Sequence, residues 1–369
     1  MTGCETRFHQ TKYEEEQDSQ NYWGGSGHEL AASDDGYYFA ESDMLYFYDR
    51  ATKKCVPVCD KADCQHKRGD TNCNAYFNGF HYFISQGIWY YDHALYVIGV
   101  ENETSSNVCL YKISLDGSKR TKLGVLFKGD MKSGISLDMN LYCNYAYFSP
   151  DDYREGIKEH KLYRIQLTKG AKPEEIYSFK GKNVQFTKIG ASNGKLYFQT
   201  LFSGEKEEFK GNINQYDLKT GKCNIIVENN NNQYAVYNDN LYYIAGGNVK
   251  KKNMKTGKET DFYKNEEEAG YRISCDEKYV FLDNERGLEI RGDEYKNRKI
   301  YVLDLSGTLI DTMQIGNDNE MLFGDQEYFF SFVLNGNGGE WQCFPKKELG
   351  NGNIQWETIL KGSDIAVVE

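Results

Sequence analysis

Asn193-Gly194-Lys195-Leu196-Tyr197-Phe198 joins a tight-turn dipeptide to a short aromatic strand. Asn-Gly supplies the backbone freedom that a two-residue hairpin needs, and Leu-Tyr-Phe suits a pleated, half-buried surface. The same pairing recurs along the chain. Tyr37-Tyr38-Phe39 follows Asp35-Gly36, Leu95-Tyr96-Val97 follows Asp92-His93, and Ala146-Tyr147-Phe148 follows Cys143-Asn144. Further on, Leu241-Tyr242-Tyr243 follows Asp239-Asn240, Tyr279-Val280-Phe281 follows Asp276-Glu277, and Tyr328-Phe329-Phe330 follows Asp325-Gln326.

Most copies carry a second strand behind the first, such as Leu45-Tyr46-Phe47-Tyr48-Asp49 or Ile300-Tyr301-Val302-Leu303-Asp304. Three of these hairpins close on Thr and Lys, at Thr52-Lys53-Lys54, Thr220-Gly221-Lys222 and Thr256-Gly257-Lys258. An apolar strand then follows, as at Ile225-Ile226-Val227, and another precedes the aromatic one, as at Tyr271-Arg272-Ile273. The repeating unit is therefore four short strands in roughly 48 residues. One such meander leaves both faces bare, whereas several packed radially cover one another. The expected fold is an all-β β-propeller of about seven four-stranded blades. They fall near residues 28–60, 76–128, 133–180, 184–228, 232–264, 269–315 and 317–361. The tail Ile365-Ala366-Val367-Val368 is expected to add a closing strand. A β-sandwich would not repeat at this period, and a β-helix would have shorter coils.

Composition agrees with sheet. Aromatic residues make up 15% of the chain, with 30 Tyr against 4 Pro. The net charge of −11 argues against a nucleic-acid partner, which needs a concentrated basic surface. Lys250-Lys251-Lys252, the longest basic run, reads as a solvated strand or sheet edge. No stretch approaches the ~20 apolar residues of a membrane helix. Thr2-Gly3-Cys4 matches the end of a bacterial lipobox, so Cys4 is the expected lipidation site. Residues 1–27 then form a lipobox remnant and flexible tether ahead of one propeller domain at 28–369, and the chain is expected outside the cytoplasm as a cell-membrane lipoprotein.

In a propeller, the connections from second to third strand emerge on one face. Here they are the long ones, near 101–107, 149–159, 202–210, 284–298 and 335–340. Elaborated loops on uniform strands are what a scaffolded binding surface produces. They carry Asp152, Tyr153, Arg154, Arg286, Tyr295 and Trp341, whose mixed aromatic and charged chemistry suits a glycan, a peptide or a partner protein. None of the six histidines stands in a known catalytic motif. The chain thus reads first as a binding or interaction module held at the membrane by its lipid alone. The alternative is a propeller glycan hydrolase or lyase with paired carboxylates facing the channel.

The cysteines divide unevenly. Cys109, Cys143, Cys223, Cys275 and Cys343 fall one to a blade, where a thiol serves as a small hydrophobe. Cys55, Cys59, Cys64 and Cys73 crowd into an insert at 55–75 between the first two blades, with His66 beside them. Cys59, Cys64, His66 and Cys73 offer three thiolates and an imidazole, a set suited to a structural, tetrahedral Zn²⁺. One or two disulfides, or reduced thiols, are the competing readings. Cys64-x-His66 is a tight spacing for two ligands of one ion.

This segment also carries a resemblance. Leu45-Tyr46-Phe47-Tyr48-Asp49, with Val56-Pro57-Val58-Cys59-Asp60-Lys61-Ala62-Asp63-Cys64-Gln65-His66 and Cys73-Asn74-Ala75, resembles a signature of uncharacterised propeller-like lipoproteins of Gram-positive gut anaerobes. In that group the cysteines and the histidine fall at the same places, and Pro is common where Ala62 stands here. The specific match covers about 35 residues, and beyond it only the repeat rhythm is shared. The resemblance implies surface attachment and supplies no activity. Cys55 stands outside the pattern.

Overall fold

The computed structural model describes residues 30–361, apart from 34, 42, 78–87, 102–106, 130–134, 153–158, 204–208, 231–232, 265–271, 285–297, 316–318, 325–326, 336–337 and 353. The chain is an all-β β-propeller of seven four-stranded antiparallel blades, each strand pairing with its neighbour in sequence. The expected tether at 1–27 and the expected closing strand at 365–368 lie outside the described residues.

Two compact units divide the blades. The first holds four. Blade 1 comprises β1 (Leu30–Ala32), β2 (Gly36–Glu41), β3 (Met44–Asp49) and β4 (Lys54–Pro57), and blade 2 comprises β5 (Ile88–Tyr91), β6 (Ala94–Val100), β7 (Asn107–Ile113) and β8 (Arg120–Lys128). Blade 3 is β9 (Ile135–Tyr142), β10 (Tyr145–Asp152), β11 (Glu159–Gln166) and β12 (Glu174–Lys180), and blade 4 is β13 (Lys182–Ser192), β14 (Lys195–Ser203), β15 (Phe209–Asp217) and β16 (Cys223–Val227).

The second unit holds three. Blade 5 is β17 (Tyr234–Tyr237), β18 (Asn240–Ala245), β19 (Asn248–Asn253) and β20 (Glu259–Tyr263). Blade 6 is β21 (Arg272–Cys275), β22 (Tyr279–Asp283), β23 (Lys299–Asp304) and β24 (Leu309–Gln314). Blade 7 is β25 (Asn319–Gly324), β26 (Tyr328–Asn335), β27 (Gly338–Pro345) and β28 (Glu357–Lys361).

Every recurrent aromatic triplet lands on the second strand of its blade. The burial pattern explains why those strands are the ones the sequence marks. All seven residues of β6 are buried, whereas the outermost β4 alternates between exposed and half-buried. A second strand has a neighbouring sheet on each face and must be apolar throughout; an outermost strand has water on one side. Between blades 2 and 3 the shared core includes Ile98, Leu110, Leu137, Phe148 and Ile165. In the second unit, Ile244 and Val249 of blade 5 meet Ile273 and Leu282 of blade 6. Each fully buried side chain of this kind contributes about 1.5–3 kcal/mol.

The turns follow from local chemistry. Asp92 and His93, Cys143 and Asn144, and Asn193 and Gly194 all take positive φ, which makes these two-residue hairpins match the twist of their strands. In blade 5 the turn is Asn238–Asp239, one residue earlier than the sequence suggested. The third-to-fourth connections share another device. Oδ1 of Asp217 accepts from the N–H groups of Lys219 and Thr220 and from the Thr220 hydroxyl, at 3.1, 2.8 and 3.0 Å. Asn253 repeats this with Lys255 and Thr256. Tyrosines link blades in the first unit: Tyr91 Oη accepts from Asn144 N at 2.9 Å, and Tyr142 Oη from Gly194 N at 2.8 Å.

The basic run at 250–252 is not an edge. It occupies β19, an inner strand flanked by β18 and β20. Lys251 lies over the rings of Tyr242 and Phe262 at 5.5 and 5.7 Å and donates to Leu305 O at 2.8 Å. Its aliphatic stem covers aromatic surface, and burial lowers its pKa.

Candidate metal centre

Past β4 the chain leaves blade 1 and returns alongside it. Val58 N donates to Leu45 O at 2.9 Å; Leu45 N donates to Ala75 O, and Phe77 N to Asp43 O, also at 2.9 Å. Met44 and Tyr76 form an antiparallel bridge. Between these seams the insert is a chain of turns, closed by Cys64 N to Lys61 O, Asp70 N to Lys67 O and Cys73 N to Asp70 O. Val58 and Phe77 at its ends join the core between blades 1 and 2. Its middle has no strand or helix.

The insert brings four donors together. The thiols of Cys59, Cys64 and Cys73 and one imidazole nitrogen of His66 all lie within 4.8 Å of one another. Cys73 Sγ is 3.8 Å from His66 Nδ1. Zinc–sulfur bonds of about 2.3 Å in a tetrahedron place sulfurs about 3.8 Å apart, so shifts of about 1 Å or less close this set on one ion. Cys59 and Cys73 are buried, and Cys64 and His66 are half-buried. Cys59, Cys64 and Cys73 are not joined to one another by disulfides.

The tight Cys64-x-His66 spacing is resolved by backbone geometry. His66 takes φ of 51°, a left-handed conformation unusual for a residue with a Cβ, and this turns the chain back on itself. His66 N then donates to Cys64 Sγ at 3.4 Å. The same two-residue pattern appears at the other thiols, with Lys61 N–H on Cys59 and Ala75 N–H on Cys73. Such N–H groups favour the thiolate, the form that binds metal.

The thiol acidities diverge. Burial pushes Cys59 up, but the Lys61 and Asn74 N–H groups and the Cys64 and Cys73 thiols outweigh it and hold it below the usual range. Burial drives Cys73 to about 12; the Ala75 N–H opposes this, while the Cys64 and Cys59 thiols add to it. Full deprotonation of this cluster is opposed by burial and mutual repulsion, and a divalent cation at its centre relieves both. Four protein ligands also leave no open coordination position, the arrangement of a structural site. Cys55 stands apart on β4, opposite Tyr48, with its thiol pushed to about 12 by burial.

Three residues support the cluster: Asn74, which stood within the quoted signature, and Arg120 and Gly117, which carried no sequence signal as metal-site partners. Asn74 Nδ2 donates to the carbonyls of Gly117 and Ser118 at 2.7 and 3.3 Å. Arg120 reaches the carbonyls of Thr71, Cys73 and Tyr76. Gly117, at φ 72°, lies so close that an added Cβ would sit 2.4 Å from the Val58 carbonyl. All three contacts join sequence-distant parts of the chain.

Of the other expected site residues, Asp152 and Trp341 fall among the described residues. Asp152 ends β10 opposite Ile135. Tyr153, Arg154, Arg286 and Tyr295 lie outside the described residues, as does Cys4. Trp341 is not in a loop: it lies within β27, paired with Phe332 and 2% exposed. The expected loop at 335–340 shrinks to 336–337 because β26 and β27 run almost to their turn.

No family model matches the chain, and no curated protein matches it. Among solved structures it is similar to the tricorn protease, with a TM-score of 0.51 and 13% identity over 94% of this chain and 36% of that one. It is also similar to the β-propeller domain of the Trilobed protease from Pyrococcus furiosus, with a TM-score of 0.49 and 11% identity over 75% of this chain and 84% of that one. For BamB from Moraxella catarrhalis the TM-score is 0.43, with 11% identity over 84% and 82% of the two chains. At such identities the tricorn likeness concerns the propeller fold alone.

Proposed function

We propose that this propeller is an extracytoplasmic binding module, anchored by lipid on Cys4, which engages a glycan, peptide or protein through the loops between second and third strands. A structural Zn²⁺ on Cys59, Cys64, His66 and Cys73 holds the insert between blades 1 and 2. The observation that carries the binding reading is the contrast between connection classes. First-to-second turns stay short throughout, as at 92–93, 143–144, 193–194 and 276–278. Second-to-third connections run from 246–247 to 284–298. Short first-to-second turns beside second-to-third connections of widely differing length are the pattern of a scaffold presenting a surface. The lipid anchor rests on Thr2-Gly3-Cys4, and the negative net charge sets the partner apart from nucleic acid.

A glycan and peptide array probed with the soluble chain tests the binding reading. Retention on a defined ligand class, lost when 285–297 is replaced by a short glycine linker, is the expected result. Catalytic release of sugars without stable retention would instead favour the hydrolase or lyase.

A further inference from the structure

The metal-ligand loop is gripped from a neighbouring blade. Arg120 opens β8 of blade 2, where it pairs with Ile113. Its Nη1 donates to Cys73 O at 3.1 Å and to Tyr76 O, its Nη2 donates to Thr71 O at 2.9 Å, and its guanidinium lies 5.1 Å from the Phe77 ring centre. One planar fork thus fixes the backbone on both sides of a ligand cysteine. The turn preceding it completes the seat: Gly117 packs on Val58 and Cys59, and the carbonyls of Gly117 and Ser118 take the Asn74 amide. Cys59 and Cys73, the two buried ligands, are therefore each held by the blade 2 hairpin.

Charge adds a second argument. Three thiolates, one Zn²⁺ and a neutral imidazole sum to −1, in a chain already at −11. A guanidinium fixed beside Cys73 stabilises that net negative charge. Lysine would keep that charge and lose the three-carbonyl fork.

We infer that Arg120 is the positioning residue of the Cys59–Cys64–His66–Cys73 centre, so that metal binding and seating of the insert on blade 2 form one linked equilibrium. The inference rests on the metal reading above. Linkage is reciprocal: what Arg120 adds to metal affinity, the metal returns to the seating.

The test uses the full chain and zinc itself. Competition against a chromophoric chelator gives the zinc affinity of the wild type, Arg120→Gln and Arg120→Lys. The expected loss for Gln is about 10–100-fold, with Lys in between. In cobalt(II)-loaded samples the Gln variant should show shifted ligand-field bands, which loss of fold stability alone would not produce. On the wild type, removal of zinc should speed amide exchange at Leu45, Phe77 and Gly117 while β14 in blade 4 stays protected; this arm needs no variant. A wild type that binds no zinc overturns the metal reading. Zinc binding with unchanged affinity in Arg120→Gln, or exchange at Leu45 and Phe77 indifferent to zinc, overturns the role of Arg120.

Discussion

Nη2 of Arg298 lies 2.8 Å from Oδ2 of Asp283, and Nε lies 3.2 Å from Oδ1, with both side chains shut away from water. Asp283 ends β22 and Arg298 stands just before β23, so this two-point pair closes the neck of the long connection in blade 6. Beside it, Asn284 Oδ1 accepts from Lys299 N at 2.8 Å. A loop of that length needs a rigid base to present a surface at low entropic cost. Removing one partner strands a buried charge. Arg298→Met or Asp283→Leu should destabilise by about 3–5 kcal/mol, and the double variant by much less. A double-mutant cycle in urea measures this, and simple additivity would contradict it.

The turn aspartates make the blades sensitive to acid. Asp116 is held at about 2, chiefly by the Ser118 N–H and then by the Ser114 and Ser118 hydroxyls. Asp217 is lowered mainly by the Thr220 N–H, Asp304 by the Ser306 hydroxyl and Asp49 by the Thr52 N–H. Each folded pKa lies below its unfolded value. The associated stability is complete above the ordinary carboxylate range, near pH 4, and is lost as pH falls towards 2. Asn253 fills the same position without titrating. Asp217→Asn should therefore keep the turn and flatten the acid limb of stability. Urea midpoints at pH 7 and pH 3 check this, and an unchanged pH dependence would count against it.

Gly117→Ala should loosen the insert. The left-handed backbone alone makes the substitution unfavourable by about 1–3 kcal/mol, and the new methyl meets the Val58 carbonyl. A lower melting temperature together with weaker zinc binding is expected. A melting temperature equal to that of the wild type would show that the contact has no force.

Tyr142→Phe deletes the acceptor for Gly194 N at the junction of blades 3 and 4. A stranded N–H at a partly buried site is expected to destabilise by about 1–3 kcal/mol. Equilibrium unfolding reads the change, with faster exchange of the Gly194 amide as its local signature.

Much of the fold was legible because its rule is local. Tyr197 and Phe198 sit on a second strand covered on both faces, and Asn193-Gly194 supplies the turn before it. Blade positions and strand order follow from that repeat. Trp341 was misplaced because Gly338 and Gly339 resemble a loop. A Cβ on Gly339 would lie 1.9 Å from the Phe332 ring, so that glycine makes room for an aromatic side chain inside a strand. Lys251 misled in the opposite sense, since the rings of Tyr242 and Phe262 that its stem covers belong to neighbouring strands.

The candidate metal cluster was legible in its donors and not in its support. Residue type and spacing nominated Cys59, Cys64, His66 and Cys73. Their convergence needed the left-handed turn at His66, which no local rule marks. Arg120 stands 47 residues beyond Cys73 and meets it only once blades 1 and 2 have packed.

X-ray absorption at the zinc edge of the purified full chain, with metal content measured on the same sample, goes most directly to the centre. One zinc per chain, bound by three sulfurs near 2.3 Å and one nitrogen near 2.0 Å, is the expected result. A metal-free protein whose mass shows disulfides among Cys59, Cys64 and Cys73 would contradict it.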